Sequence, residues 1–178
     1  MTPWMIRGAV CVAMALIPGA LVAQESTNRV GANTDWSVFV EGDPQECWAV
    51  SQPKETVNTR EGRVVAVRRG DILLFVSYNP GENINGQVTF TGGYPFAEGS
   101  TVSLQVGDSS FELIPDPANA EWAFPRTPQD DARIIAAMKA GSNAVIGARS
   151  SRGTETKDTF SLLGFTASVD DAARRCAP

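Results

Sequence analysis

The stretch Thr101-Val102-Ser103-Leu104-Gln105-Val106 alternates polar and apolar side chains at every step. Successive side chains of a β-strand point to opposite faces of the sheet, so this pattern predicts a strand with one buried and one solvated face. Gly107-Asp108 follows as a turn, and Phe111 and Leu113 then continue the alternation. The stretch predicts an antiparallel hairpin over residues 101–113 and indicates a β-rich fold.

Short segments of the same kind recur on both sides of this hairpin. Arg69-Gly70 separates two of them and predicts a tight reversal, and Asn85-Gly86 predicts another hairpin turn because both residues tolerate positive φ. About nine short strands at this spacing are typical of a β-sandwich or barrel. The further strand segments are residues 36–40, 47–50, 63–68, 72–78, 87–91, 121–124, 143–149 and 156–163. The predicted core comprises Trp36, Val65, Val67, Leu74, Val88, Phe90, Val102, Leu104, Phe111, Leu113, Ile135, Val145 and Phe160.

Two helices interrupt the strand pattern. Thr127 is a good N-cap, Pro128 suits the first helical position and Gly141 suits the position after the last turn, so a helix is predicted near 128–140. A short C-terminal helix is predicted to begin near Thr166 or Ser168 and to end at Arg174-Arg175. The fold class is therefore mostly β, a sandwich with two helices.

The N-terminus has the features of a secretory signal peptide. Arg7 precedes an apolar run over residues 9–17, Pro18-Gly19 breaks the run, and small residues lead to Ala23. A membrane anchor needs about 20 apolar residues, so we expect cleavage after Ala23 and no transmembrane segment afterwards. The predicted organisation is a signal peptide over 1–23, a flexible leader over 24–34 and a single domain over 35–178.

The charge balance excludes one class of partner. The chain has 15 basic and 20 acidic side chains, a net charge of −5, and loss of the signal peptide removes one base and no acid. Nucleic-acid binding requires that Lys and Arg neutralise phosphates, so we expect no nucleic-acid partner.

Three cysteines are present, and Cys11 leaves with the signal peptide. In an oxidising compartment the remaining Cys47 and Cys176 are expected to form a disulfide, the alternative being two free thiols. Neither belongs to a Cys-x-x-Cys motif.

The sequence contains no histidine, which excludes Ser-His-Asp and Cys-His catalytic sites and the common zinc sites. Asp130-Asp131 and Asp170-Asp171 are paired acids, but both pairs fall in the first turn of a predicted helix, where acids are stabilising without a catalytic role. We therefore assign no catalytic, cofactor-binding or metal-binding residue and expect no cofactor.

One stretch has the composition of a recognition loop. Tyr78, Asn83, Asn85, Tyr94 and Phe96 lie among several glycines and form a possible partner-binding loop. The alternative is a set of hairpin loops whose aromatic side chains fold back on the core.

A short adhesion motif is also present. Arg69-Gly70-Asp71 spells a tripeptide that some integrins recognise, but a tight turn alone explains Gly70 and Asp71. We therefore expect no adhesion function from this tripeptide.

The chain resembles the invasion-associated locus B family of exported α-proteobacterial proteins. The residues that carry the resemblance are Trp36, Cys47-Trp48-Ala49-Val50, residues 63–68 leading into Leu73-Leu74-Phe75-Val76, residues 134–141 and residues 161–167. The resemblance extends over about residues 35–175 and implies an immunoglobulin-like β-sandwich in the periplasm or outside a bacterial cell. It supplies no catalytic residues.

Together these observations favour a non-enzymatic binding or structural module of the cell envelope, whose partner is an envelope protein or glycan. Two alternatives remain. One is a secreted host-interaction factor, and the other is a carboxylate-dependent hydrolase that acts on envelope carbohydrate.

Overall fold

Twelve β-strands and two α-helices make up the structure, a computed structural model that describes residues 28–43 and 45–177. The strands before the first helix are β1 Arg29–Asn33, β2 Trp36–Glu41, β3 Glu46–Ser51, β4 Glu55–Arg60, β5 Arg63–Val64, β6 Leu73–Asn79, β7 Ile84–Thr91, β8 Val102–Val106, β9 Ser109–Pro115 and β10 Trp122–Phe124. The remaining elements are α1 Pro128–Ala140, β11 Asn143–Arg149, β12 Glu155–Ser161 and α2 Phe165–Arg175. The predicted signal peptide lies outside the described residues.

All strand pairs are antiparallel, in the order β1-β2-β3-β6-β7-β10-β9-β8-β11-β12-β4-β5. The end of β9 pairs with β10, while residues 109–113 of the same strand pair with β8. β9 thus carries the chain from one half of the sheet to the other. Phe90 of β7 meets Phe160 of β12 edge to face at 6.2 Å, so the two halves pack against each other. The mostly-β, sandwich-like fold is confirmed.

The alternation that predicts the strands also places the core. Val102, Leu104 and Val106 of β8 are buried while Ser103 and Gln105 are exposed. β2 begins with the same alternation, and its Trp36 packs edge to face on a ring of α2, with a centroid distance of 4.8 Å. Strands such as β2 and β8 therefore contribute one face to a shared interior.

The first helix begins and ends where its sequence signals lie. The Thr127 side chain accepts a hydrogen bond from the N–H of Asp130 at 3.2 Å, and Ile134 and Met138 are buried. Gly141 follows the last turn as predicted, and its backbone there is extended. A glycine is needed there for space, because a Cβ atom would collide with the side chain of Val106.

The second helix is fixed at its C-terminus by a disulfide. Cys47 on β3 is joined to Cys176, the residue after α2, with their Cα atoms 5.8 Å apart. Both sulfurs are buried with the core. The bond joins two residues that are 129 positions apart in the sequence. It holds α2 against the half of the sheet that contains β3.

The strand count is higher than the nine expected, because polar edge strands carry little apolar alternation. β4 and β5 form one edge of the sheet and have few buried side chains. β1 lies at the other edge, within the stretch expected to be a flexible leader. Edge strands are exposed on more sides than central strands, so hydrophobic patterning does not reveal them.

Of the three predicted turns, Gly107-Asp108 is confirmed, since it joins the antiparallel strands β8 and β9, and the other two are wrong. Only Arg63–Val64 of the 63–68 segment forms a strand, and it pairs with β4 rather than β6. The reversal between β6 and β7 occurs at a 3₁₀ turn, Pro80–Glu82. This turn precedes the expected Asn85-Gly86, which lies within β7. Gly86 instead has φ +85° within β7, beside an irregularity in the register with β6.

Most of the predicted core is buried, with four partial exceptions and one error. Val65, Phe111, Ile135 and Val145 are half-buried. Val67 is exposed because its segment is not a strand. In β11 the fully buried residues are Ala144 and Ile146, so the predicted inward face is shifted by one residue.

The length and hydropathy of the helices bear on whether they could cross a membrane. Within residues 28–43 and 45–177, no helix is both long and apolar enough to cross a membrane.

Candidate functional site

The five residues of the predicted partner-binding loop do not form one surface. Tyr78 and Phe96 are buried, whereas Asn83 and Asn85 are exposed near the 3₁₀ turn. Tyr94 follows the opposite end of β7, an eight-residue strand that is about 25 Å long at the usual rise per residue. The structure thus separates the asparagines from Tyr94 and Phe96.

Arg69, the first residue of the Arg69-Gly70-Asp71 tripeptide, is buried rather than displayed. Its side chain is 6% exposed, and its guanidinium donates to both carboxylate oxygens of Asp158, at 2.7 and 2.6 Å. Arg69 also donates to the carbonyl oxygen of Gly92 at 2.9 Å. Arg69 therefore does not lie at the solvated end of a hairpin, because it binds Asp158 of β12 in the interior.

This ion pair lies deep in the fold. The Asp158 carboxylate is fully buried, and burial raises its pKa while the Arg69 guanidinium opposes the shift. The guanidinium also lies 5.0 Å from the centroid of the Tyr94 ring. An arginine fork matches a carboxylate in a bidentate pair and can stack on an aromatic ring at the same time. The pair fixes the segment around residue 69 against β12.

A second close contact holds the same segment. The N–H of Gly70 donates to the carbonyl oxygen of Gly93 at 2.9 Å. Gly93 has φ +71°, and a Cβ atom there would overlap the backbone of Gly70 at 2.6 Å. The two glycines allow the chain after β5 to lie directly on the chain after β7. Residues 67–69 and 93–95 of these two segments line a cleft.

We call this feature the arginine cleft. It is a cleft of about 440 Å³ between the end of β4, the segments after β5 and β7, and the turn between β11 and β12. Its lining residues are Arg60, Val67, Arg68, Arg69, Gly93, Tyr94, Pro95, Glu121, Ser150, Ser151, Arg152, Thr154 and Thr156. Ligand pockets are usually about 300–1,000 Å³, so the cleft has the size of a small-molecule site.

Three of the cleft arginines have no acidic partner among the described residues. Arg60, Arg68 and Arg152 are exposed and take part in none of the ion pairs found there. Arg60 donates to the hydroxyl of Thr154 at 2.7 Å, which orients its guanidinium at one end of the cleft. A chain of net charge −5 thus concentrates unpaired positive charge in one concave place.

The cleft floor combines a ring and a hydroxyl. The Tyr94 hydroxyl and the Thr156 hydroxyl share a hydrogen bond at 2.5 Å, and the edge of the Tyr94 ring meets Phe96 at a centroid distance of 5.4 Å. Burial raises the pKa of Tyr94, so the phenol is neutral at physiological pH. No local sequence signal predicts this site, because its arginines are far apart along the chain.

The first-turn position predicted for the paired acids is confirmed for Asp130-Asp131 of α1 and wrong for Asp170-Asp171, which lie in the middle of α2. Three of these four aspartates form ion pairs. Asp130 accepts from Arg133, Asp170 pairs with Lys139 at 2.7 Å, and Asp171 pairs with Arg175 at 2.9 Å. Each contact ties a carboxylate to a neighbouring basic side chain on a helix. None of these acids lines the arginine cleft.

Asp131 is the exception, because it is buried. It accepts a hydrogen bond from the N–H of Val88 at 2.7 Å and so joins α1 to β7. Burial raises its pKa to about 6. Its environment is that of a structural link between helix and sheet.

The described residues offer no ready metal centre. No group of three or more Cys, Asp or Glu side chains in 28–43 and 45–177 is arranged to hold a metal ion. The arrangement in the cleft instead presents hydrogen-bond donors and positive charge, which favours binding of an anion over binding of a cation.

Comparisons with known proteins agree with the fold. A family model described as "Invasion associated locus B (IalB) protein" matches residues 36–173. The chain is similar in structure to invasion associated protein B from Bartonella henselae, with a TM-score of 0.53 at 19% identity over 82% of this chain and 96% of that one. At this identity the likeness concerns the fold alone. A comparison with curated proteins found no match.

Proposed function

The chain belongs to the invasion associated locus B family, and on this premise we propose that it is a non-enzymatic, ligand-binding module of the bacterial cell envelope. The observation that carries the proposal is the arginine cleft, which is concave, preformed and braced by a buried ion pair. The cleft is the proposed binding site. Loops held by a rigid sheet commonly carry recognition in sandwich folds.

Two features support a location outside the cytoplasm. Residues 1–23 have the charged start, apolar run and small-residue end of a signal peptide. The Cys47–Cys176 bridge is of the kind that persists in oxidising compartments. We propose the periplasm as the site of action, with release from the cell as the alternative.

The chemistry of the cleft supports binding rather than catalysis. The sequence has no histidine, and Glu121 is the one acid among the cleft residues. A glycosidase of the usual kind needs two carboxyl groups facing each other across the substrate, about 5–10 Å apart. The paired aspartates of α1 and α2 are held by basic side chains and the backbone, so the carboxylate-dependent hydrolase is not favoured.

A role in contact with host cells is the second candidate. The printed name of the similar Bartonella protein associates that protein with invasion. Display of the Arg69-Gly70-Asp71 tripeptide is not its mechanism in our proposal, since Arg69 is buried against Asp158.

The test uses protein exported by cells that express the full chain. We would measure its melting temperature with and without a small-molecule and glycan extract of the envelope. Binding stabilises the folded state by mass action, so the extract should raise the melting temperature. Ser151→Trp fills the cleft wall and should abolish the rise. Ser109→Trp, at an exposed serine that begins β9 outside the cleft, should preserve it. Equal responses of both variants would refute the cleft as the binding site.

A further inference from the structure

We infer that the arginine cleft recognises a small organic anion through a carboxylate or phosphate group. The inference rests on the proposed function, since it names the ligand class of the same site. It follows from three properties of the cleft, which are its charge, its hydrogen-bond donors and its volume.

The charge of the cleft runs against the charge of the protein. The chain carries five more acidic than basic residues, yet four arginines and one glutamate line this cleft. Arg69 is neutralised by Asp158, which leaves Arg60, Arg68 and Arg152 unpaired among the described residues. Like charges held close together repel each other, and a concave site of one sign attracts and concentrates ions of the other sign. An anion in the cleft relieves this repulsion.

The donors in the cleft suit an oxyanion. Each guanidinium presents a planar fork of N–H groups that fits carboxylate and phosphate oxygens. The bond from Arg60 to the Thr154 hydroxyl fixes one end of the cleft and uses only one of the five N–H donors of Arg60. The hydroxyl of Ser151, which is exposed on the cleft wall, adds a further neutral donor.

The rest of the lining limits the size and body of the ligand. A volume of about 440 Å³ accommodates a molecule of monosaccharide or disaccharide size rather than a polymer segment. Tyr94, Pro95 and Val67 supply apolar surface against which a ring can lie. Glu121 repels a second negative charge at its own side of the cleft. The ligand is therefore a compact molecule with its charge concentrated at one end.

Three probes that share one sugar ring test the inference, namely glucose, glucuronate and glucose 6-phosphate. Binding is followed by NMR shifts of the backbone amides around Tyr94 and Ser151. We expect one or both charged sugars to bind at least about tenfold more tightly than glucose, a factor that corresponds to one charge-assisted contact. The comparison of glucuronate with glucose 6-phosphate separates carboxylate from phosphate recognition. Equal binding of all three sugars, or no binding of any, overturns the inference.

Matched variants assign the effect to the cleft. Arg68→Gln and Arg152→Gln should each weaken binding of the preferred charged sugar about tenfold. Arg29→Gln removes an exposed arginine of β1, outside the cleft, and should leave the affinity unchanged. An equal loss in the Arg29 variant would show a general charge effect and would overturn the inference.

The two proposals can fail separately. A melting-temperature rise with envelope extract that Ser151→Trp abolishes, together with no preference for charged sugars, refutes the oxyanion inference and leaves the binding module intact. No rise with any extract, together with tight and Arg152-dependent binding of a charged sugar, would support the site chemistry and count against the extract as the source of the ligand.

Discussion

The buried pair of Arg69 and Asp158 offers a sharp test of the fold and of the cleft wall. Arg69→Met leaves a fully buried carboxylate without its guanidinium, and Asp158→Leu leaves a guanidinium that is 6% exposed without its carboxylate. Removal of one partner of a buried ion pair typically costs about 3–5 kcal/mol, whereas replacement of both by apolar residues is often close to neutral. We therefore expect each single variant to lose about 3–5 kcal/mol and the double variant to recover most of that loss.

The contacts of the Arg69 side chain place the loss of stability expected for Arg69→Met in the upper part of this range. Its guanidinium makes two short bonds to Asp158 and further bonds to the carbonyl oxygen of Gly92 and the side chain of Asn58. All of these are lost in Arg69→Met. For a domain of this size a loss of 3–5 kcal/mol lowers the melting temperature by about 6–20 °C.

The assay is equilibrium unfolding in urea with the disulfide intact, followed by tryptophan fluorescence. Arg174→Met is the matched control, since its ion pair with Asp171 is 69% exposed on the arginine side and such pairs contribute about 0–1 kcal/mol. The reasoning is refuted if both buried single variants lose less than about 1 kcal/mol, or if the double variant loses the sum of the two.

Three further predictions concern the disulfide, a buried acid and a glycine. Reduction or the double change Cys47→Ser and Cys176→Ser should cost about 2–5 kcal/mol in urea unfolding, because the bond closes a very long loop; a loss below about 1 kcal/mol would contradict this. The pKa of Asp131, raised to about 6 by burial, means that its ionisation destabilises the folded state as pH rises from about 4 to 6. The free energy of unfolding of Asp131→Asn, relative to that of the wild type, should therefore increase over that range by about 1–2 kcal/mol after allowance for partial burial. A difference in free energy of unfolding between the two proteins that stays constant from pH 4 to 7 would contradict this. Gly164→Ala places a Cβ atom on the neighbouring backbone at φ +88°, so it should cost clearly more than Gly153→Ala, which has φ +77° and open space; equal melting temperatures would show that only the backbone conformation matters.

The sequence was sufficient where local chemistry and burial agree. Trp36 and Val38 lie on either side of the polar Ser37 and are buried in β2, and the signals at Thr127 and Pro128 mark the start of α1 correctly. In these places the apolar residues recur at the period of the strand or helix that they form. The sequence pattern therefore predicts both the element and its buried face.

The sequence was insufficient where a partner lies far away along the chain. Arg69 next to a glycine has the composition of a turn, and its pairing with Asp158 spans 89 residues. Val145 and Ile146 are both apolar, so alternation alone does not decide which of them faces inward. The cleft could not be predicted at all, because Arg60, Arg68 and Arg152 come together only through the packing of separate loops.

The most direct test of the binding module is photo-crosslinking in living cells. A photoreactive phenylalanine derivative is placed at Ser151 on the cleft wall and, as a control, at Ser109 at the start of β9. After irradiation and fractionation, mass spectrometry of the peptide that contains the probe reports any adduct. Our account predicts a defined adduct at Ser151, in protein from the periplasm or the medium, and none at Ser109. An unmodified peptide at Ser151, or the same adducts at both positions, would contradict it.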